Sequence, residues 1–151
     1  INWKDGAPAD VSFYTVGEMG FDNYPAALTM MKSRAAELDA CLTLLIPKMS
    51  QAWVDFFNDP KPITDAMIEI NKTHDGFWGL SEAINDAGFK VLEEKEIGAN
   101  SADGTYCSID ADRAAAIYDT VKAVYDAQGV EIAADVTTLY DNKYCAGAPG
   151  R

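Results

Sequence analysis

The chain has 151 residues, 48% of them hydrophobic and 24% charged, which is enough for one domain with a sizeable core. Acidic side chains outnumber basic ones by 24 to 12, and the formal charge of −12 makes binding to nucleic acid or to an anionic membrane unfavourable. No apolar run approaches the roughly 20 residues that a membrane-spanning helix needs. We therefore expect no nucleic-acid partner and no transmembrane segment.

Residues 1–34 are predicted to form strands and connections. The chain begins at Ile1 without a charged and then apolar leader, so we expect that a leader has been removed or that the chain is part of a longer protein. Val11–Val16 alternates and is rich in β-forming residues, which predicts a strand. Gly17–Pro25 follows as a loop, and the apolar run Ala26–Met31 predicts a second strand.

Residues 35–128 are predicted to be the helical part of the chain. The first helix runs from about Ala35 to Asn58, and Pro47 should kink or split it because proline lacks an N–H and crowds the preceding turn. Its apolar residues recur at helical spacing: Leu38, Cys41, Leu42, Leu45, Ile46, Met49, Ala52, Trp53, Phe56 and Phe57.

Three more helices are expected before the C-terminal tail. One starts near Thr64 and ends around His74–Gly76, the next is capped by Ser81, and the last is capped by Asp110 and ends at Gly129. The remaining residues, 129–151, are predicted to be an extended tail, with one or two short extended pieces in Val130–Leu139.

The three cysteines lie in two different settings. Cys41 belongs to the apolar stripe of the first helix and is expected to be buried. Cys107 and Cys145 lie in polar, loop-like surroundings, where an oxidising compartment would allow a disulfide that stabilises the fold by roughly 3–4 kcal/mol. The cysteines and the single His74 match no zinc spacing, so we expect neither a metal nor a cofactor.

Aromatic residues on loops give the best candidates for a ligand site, because such residues can wall a small pocket on a rigid scaffold. Tyr24 and Trp78 are the predicted aromatic contacts, and Glu18 and Asn23 are the polar groups expected to orient a ligand. The alternative is that these aromatics cover the helical core. No catalytic residue is predicted, since His74 fits a helix end better than a general base.

Several segments resemble the late part of substrate-binding proteins of ABC transporters, in the branch for nitrate, sulfonates and thiamine-pyrimidine precursors. The resemblance covers most of the chain from about Val11 onward, with motifs of moderate specificity. The segments are Ala40–Pro47, Gln51–Pro60, Gly76-Phe77-Trp78, Asn100–Thr105, Asp110 opening the last helix, and Val136–Asn142.

This resemblance implies an α/β, helix-rich fold: the C-terminal part of a two-lobe periplasmic-binding-protein-like fold, with about four helices and a few short strands. Val11–Val16 and the Gly17–Pro25 loop would then be the return crossing between the lobes. It also implies a periplasmic or extracellular protein that binds a small organic solute without changing it and delivers it to an ABC permease. The N-terminal part of such a protein is absent from this sequence, so apolar surface is expected to be exposed unless that part is supplied.

Two other functions are considered. A helical protein-interaction module would show an exposed apolar groove and no pocket. An enzyme of the same fold lineage that makes a pyrimidine precursor would need a histidine- or cysteine-rich iron-binding motif, and this segment lacks one.

Overall fold

The computed structural model describes residues 12–151, which contain five α-helices. They are α1 (Lys32–Glu37), α2 (Asp39–Asn58), α3 (Lys61–Thr73), α4 (Glu82–Glu94) and α5 (Ala111–Ala127), followed by short 3₁₀ turns at Val136–Thr138 and Lys143–Cys145. Two compact units can be distinguished. The first unit contains the described residues up to Thr29 together with Ala111–Leu139, and the second contains Met30–Asp110 with Tyr140–Arg151.

The predicted α/β fold is wrong, because residues 12–151 contain no strand and no sheet. Val11 lies outside the described residues, and residues 12–16 form coil leading into a turn. Ala26–Met31 and the remainder of Val130–Leu139 are also irregular, apart from the turn at Val136–Thr138. A strand is stable only beside a partner strand, so an alternating pattern alone does not produce one.

Local hydrogen bonds occupy the region where the first strand was expected. The Glu18 carboxylate accepts hydrogen bonds from the Thr15 N–H at 2.7 Å and from Thr15 Oγ1 at 3.0 Å, and the Glu18 N–H donates back to Thr15 Oγ1 at 3.1 Å. The Met19 N–H donates to the Thr15 carbonyl, which closes the turn. Such side chain-to-backbone bonds compete with strand pairing for the same backbone groups.

The long apolar helix is interrupted earlier than the sequence suggests. The break between α1 and α2 lies at Leu38, whereas Pro47 is contained within α2, so the helix does not split at the proline. Leu42, Ser50 and Phe57 form its buried positions. Cys41 was expected to be buried on this helix, and it is a free, exposed thiol, because the covered face of α2 does not include it.

Helices α3 and α4 are held together near their N-termini. Lys61 Nζ lies 3.1 Å from a Glu82 carboxylate oxygen, and Asn85 Nδ2 donates to the Thr64 carbonyl at 3.3 Å. Ser81 Oγ accepts a hydrogen bond from the Ile84 N–H at 3.3 Å, which confirms Ser81 as the cap of α4. Helix α3 begins at Lys61, three residues before the expected start, with Pro62 in its first turn, where the missing N–H costs no helical bond.

An aromatic cluster forms around the C-terminal end of α2. The Phe57 ring lies 5.5 Å from the Phe89 ring of α4 and 5.9 Å from the Tyr106 ring, the second pair stacked at 9°. The guanidinium of Arg151 lies 5.2 Å from the centre of the Phe57 ring. With 6% of its surface exposed, Phe57 is the largest buried side chain of this cluster.

The C-terminal segment, Tyr140–Arg151, contacts both ends of α2. At the N-terminal end, Lys143 Nζ lies 2.8 Å from Asp39 and the Tyr144 hydroxyl donates to the same carboxylate at 3.0 Å. Near the other end, Asn100 donates to the Arg151 carbonyl at 2.7 Å and accepts from the Arg151 N–H at 3.0 Å. The segment is therefore fixed at two points although its sequence is rich in glycine and alanine.

A disulfide joins Cys107 to Cys145, which are 38 positions apart in sequence and have Cα atoms 5.5 Å apart. This is the pairing that the sequence suggests for an oxidising compartment. Closing a loop of this length stabilises the fold by roughly 4 kcal/mol. Asn142 adds a pair of bonds next to it, accepting from the Ile109 N–H and donating to the Ile109 carbonyl, both at 2.9 Å.

Most large apolar side chains in the described residues are only partly covered. The buried apolar residues are Leu42, Phe57, Ala114 and Ala148. Exposed side chains include Leu44, Ile70, Phe77 and Trp78, among many others. Within residues 12–151, none of the helices has the length and apolar character needed to cross a bilayer.

Candidate functional site

Three of the four predicted ligand-binding residues lie in the first unit, on the segment before α1. The turn at residues 16–20 contains Glu18, and Asn23 and Tyr24 follow it in the segment that leads to α1. Trp78 belongs to the second unit.

Arg113, in the first turn of α5, holds the loop that carries Asn23 and Tyr24. Its Nε donates to the Asp22 carbonyl at 2.9 Å, and its Nη2 donates to the Asn23 carbonyl at 2.6 Å and to Asp22 Oδ1 at 2.8 Å. The planar guanidinium thus fixes two successive carbonyl groups and one carboxylate. This contact connects residues 90 positions apart in sequence.

Tyr24 is oriented by the same arginine. The guanidinium carbon of Arg113 lies 4.0 Å from the centre of the Tyr24 ring, within the range of a cation–π contact that contributes about 0.5–1 kcal/mol at exposed sites. Tyr24 and Asn23 are half-buried, whereas Asp22 is exposed. One predicted aromatic contact and one predicted polar group are thereby placed side by side on an anchored loop.

A depression of about 240 Å³ lies next to this loop. It is smaller than the roughly 300–1,000 Å³ of sites for drug-sized ligands, so it suits only a small solute. Its lining mixes apolar, hydroxyl and charged groups: Gly20, Phe21, Asp22, Arg113, Ala116, Ile117 and Thr120.

Glu18, Asn23 and Tyr24 do not line this depression; Asn23 and Tyr24 lie on the loop beside it, and Glu18 lies in the preceding turn. The Glu18 Oε2 atom accepts the two hydrogen bonds from Thr15 described above, so this carboxylate oxygen organises its own turn. The predicted role of Glu18 in orienting a ligand stays a prediction, and its observed contacts are structural.

Sequence reasoning missed Arg113, which is the central residue of this region. An available signal was its position, because a cation in the first turn of a helix faces the positive end of the helix dipole and is unfavourable without a specific partner. Which carboxylate and carbonyls supply that partner depends on chain folding over 90 positions, and spacing does not reveal it.

Trp78 lies in the loop between α3 and α4, where its side chain is 69% exposed. Its ring packs at 70° against the Phe77 ring, with centroids 5.2 Å apart, and Phe77 is 90% exposed. Together with exposed apolar residues of the two adjoining helices they form what we call the α3–α4 surface: Ile63, Met67, Ile70, Phe77, Trp78 and Ile84.

A second depression, also of about 240 Å³, lies between the C-terminal end of α4 and the chain terminus. Phe57, Tyr106, Asn100 and Arg151 contribute to its walls. An ion pair of 2.7 Å joins Arg151 to Glu93, and this hydrogen bond raises the pKa of the Arg151 guanidinium further. These groups hold the C-terminal segment in place, which favours a structural role for this depression.

Apart from Asp39, which is paired with Lys143, the carboxylates of the described residues that have a lowered pKa are Asp103 and Asp135. No group of three or more histidine, cysteine, aspartate or glutamate side chains in residues 12–151 has a metal-binding arrangement. The shifted carboxylates are explained by local hydrogen bonds, since the Thr105 N–H lowers the pKa of Asp103 and the Thr137 side chain lowers the pKa of Asp135. Both stand at turns, where carboxylates commonly accept backbone bonds.

No protein-family model, curated protein or solved structure matches this chain significantly.

Proposed function

We propose that this chain is an extracytoplasmic solute-binding component of an ABC-type importer, which binds a small organic solute without chemical change. The observation that carries the proposal is the loop containing Asn23 and Tyr24, held by Arg113 beside a depression of small-solute size. A preordered loop binds with little loss of conformational freedom, which favours affinity for a small ligand.

Two further features support this proposal. The Cys107–Cys145 disulfide fits an oxidising, extracytoplasmic compartment. The segments that resemble importer proteins include Gln51–Pro60 and Asn100–Thr105, which lie beside the aromatic cluster of the second unit. The two-lobe α/β arrangement that accompanied the resemblance is excluded from the proposal, because residues 12–151 contain no strand.

The partly covered apolar side chains agree with a chain that packs against more protein. A domain of about 150 residues normally buries close to 70% of the surface of its unfolded chain, and here most large apolar residues in the described region stay accessible. The N-terminal part expected for an importer protein is a proposed partner for the exposed apolar residues outside the α3–α4 surface, and the ABC permease is a proposed partner of the whole protein.

Isothermal titration calorimetry with nitrate, taurine as a sulfonate and 4-aminopyrimidine would test the proposal. We expect one of these probes to bind, and Tyr24→Ala to weaken its binding by about tenfold, equivalent to about 1.4 kcal/mol, with little change in the melting temperature. Tyr14 is a matched control, because it is 78% exposed in the same segment. Tyr14→Ala should leave the affinity unchanged.

The variant Asp22→Asn separates solute classes. The Asp22 carboxylate forms an ion pair with the Arg113 guanidinium and so competes with an anionic solute for it. Its removal should increase the affinity for nitrate or taurine and leave the affinity for 4-aminopyrimidine unchanged. Absence of binding for all probes, or equal losses in Tyr14→Ala and Tyr24→Ala, would contradict solute binding at this loop.

A helical protein-interaction module is the second candidate function. The specific observation that favours it is the α3–α4 surface, where six large apolar side chains are each about half exposed or more. This candidate concerns the second unit and does not depend on solute binding by the first.

A further inference from the structure

The α3–α4 surface is a helix-sized apolar strip extended by an aromatic pair. On α3, Ile63, Met67 and Ile70 are spaced by four and three residues, so they share one face of the helix. The hydrogen bonds from α3 toward α4 and its preceding loop involve the Thr64 carbonyl and the Asn71 side chain. Ile63, Met67 and Ile70 are each about half exposed, so the strip stays largely accessible.

The loop that carries Phe77 and Trp78 is held in a defined conformation. Asn71 Nδ2 donates to the Trp78 carbonyl at 2.7 Å, and the Gly76 N–H donates to the Asn71 carbonyl at 2.7 Å. Asp75 has a φ of +46°, and a Cβ on Gly76 would overlap the Asn71 side chain. Two aromatic rings on an ordered loop can bury apolar area without a large ordering cost, as binding hot spots do.

The charged residues in the part of the sequence that carries this strip are mostly acidic. From Asp55 to Asp86 the chain contains seven acidic residues and two lysines, and the Lys61 ammonium already pairs with Asp65 and Glu82. A partner with basic groups beside an apolar face would meet complementary charge. A second copy of this chain, with its own charge of −12, would meet repulsion.

We propose that the α3–α4 surface binds a basic amphipathic helix of another protein. The apolar face of that helix would lie along Ile63, Met67 and Ile70, with Phe77 and Trp78 as anchors at one end. Its lysine or arginine side chains would face Glu69 and Asp75. This is the helix-in-groove form of recognition, in which anchors recur at helical spacing.

The test uses three synthetic peptides of about 18 residues, long enough for roughly five helical turns. Each has the same leucine face, and the remaining positions are lysine, glutamine or glutamate. Fluorescence anisotropy of labelled peptides, below the concentration at which they self-associate, should show the lysine peptide binding at least about tenfold more tightly than the glutamine peptide. The preference should shrink as salt rises, because salt screens exposed charges.

Two pairs of variants separate this surface from general attraction between opposite charges. Met67→Gln with Ile70→Gln should lower the affinity for the lysine peptide by about tenfold. Val124→Gln, at an exposed apolar position on α5, should change that affinity by less than twofold. Glu69→Gln with Asp75→Asn should reduce the preference for lysine over glutamine. Asp119→Asn, an exposed acid on α5, is the control for charge.

Several results would overturn the proposal. Equal affinity for the lysine and glutamine peptides would show that the partner need not be basic. Equal losses of affinity in Val124→Gln and in the α3 variants would show that the peptide does not bind at the α3–α4 surface. Sedimentation showing self-association that Met67→Gln with Ile70→Gln abolishes would assign the surface to a second copy. Binding of phosphatidylcholine vesicles through Trp78 would assign it to a membrane, and binding of none of the peptides would leave no helix-binding site. Each of these results is independent of solute binding at Tyr24.

Discussion

The C-terminal end of α2 and the apolar strip of α3 have similar helical periodicity, but only the former is covered within its unit. Phe57 is enclosed by Phe89, Tyr106 and the Arg151 guanidinium, and 6% of its surface remains exposed. Ile70 on α3 is 60% exposed. The covering groups of α2 come from residues 32 to 94 positions further along the chain, so burial here depends on distant segments returning to the helix.

This difference separates a face that stabilises the fold from one that is available to a partner. The C-terminal segment covers α2 because the Cys107–Cys145 disulfide, the Asn100–Arg151 bonds and the Asp39–Lys143 ion pair all hold it there. Among the helices of residues 12–151, α3 packs mainly with α4, and the side chains of its strip stay about half exposed. Three predictions test whether residues that cover α2 contribute more to the free energy of unfolding than residues on the uncovered face of α3.

The largest expected effect is for Phe57→Ala. Removal of this ring should lower the free energy of unfolding by about 3–5 kcal/mol, because it leaves a cavity among four aromatic neighbours. Ile70→Ala on the uncovered strip should change it by less than about 0.5 kcal/mol. Urea unfolding of both variants measures the difference, and similar losses in both would show that α3 is covered after all.

An intermediate effect is expected for Gly150→Ala in the C-terminal segment. A Cβ at this position would overlap the Gly104 carbonyl oxygen, so the segment would have to move away from the loop that carries Tyr106. We expect a loss of about 1–3 kcal/mol in thermal or urea unfolding.

Gly88→Ala in α4 is the control for that variant. Outside the adjacent residues and the backbone of α4 itself, no heavy atom of the described residues lies within 4 Å of a Cβ placed on Gly88, and alanine is the better helix former by about 1 kcal/mol. It should therefore raise the stability. A neutral Gly150→Ala variant would mean that the C-terminal segment does not approach Gly104 as closely as described.

The smallest expected effect is a loss of stability at low pH, where the Asp39 carboxylate becomes protonated. The hydrogen bond from Lys143, followed by that from Tyr144, lowers the pKa of Asp39 below its ordinary value, and Asp39 in turn raises the pKa of Lys143. A lowered carboxyl pKa gives stability that is present above the ordinary value of 3.8 and is lost as the pH falls through the folded-state pKa. Below about pH 4, the C-terminal segment should therefore bind α2 less firmly.

Asp39→Asn measures this contribution. The variant should be somewhat less stable than the parent chain at neutral pH and nearly equal to it in strong acid, because the parent carboxylate is then protonated. Asp55→Asn is a suitable comparison, since the Asp55 side chain only accepts a bond from Gln51 on the same helix. A constant difference between Asp39→Asn and the parent at every pH would exclude the ion pair as its source.

Helix positions in the chain were largely predictable because their signals are local. Ser81 predicted the start of α4, and the apolar repeat up to Phe57 predicted α2 through to Asn58. The described part of the predicted strand Val11–Val16, residues 12–16, is not a strand, because strand formation needs a neighbouring strand and the bonds between Thr15 and Glu18 compete for the backbone groups. The prediction that Cys41 is buried was wrong, because the apolar stripe of α2 is wider than the face of the helix that other residues cover.

The candidate site was predictable only in part. Asn23 and Tyr24 were identified as loop residues next to possible ligand space, but their partner Arg113 was not, since it follows them by about 90 positions. The ligand contact of Trp78 stays a prediction, and its ring is exposed and packs against Phe77 on the second unit. The sequence shows which loop residues are aromatic, but it does not show which residues contact them in the folded chain.

The sequence by itself determined the helices, the acidic surface and the apolar faces, because backbone propensity, capping and charge depend on residues a few positions apart. Only the tertiary structure decided which apolar face is covered, which arginine holds the Tyr24 loop, and that no strand pairs within residues 12–151. Those outcomes depend on contacts between segments far apart in sequence, and their free energy arises only when the segments meet.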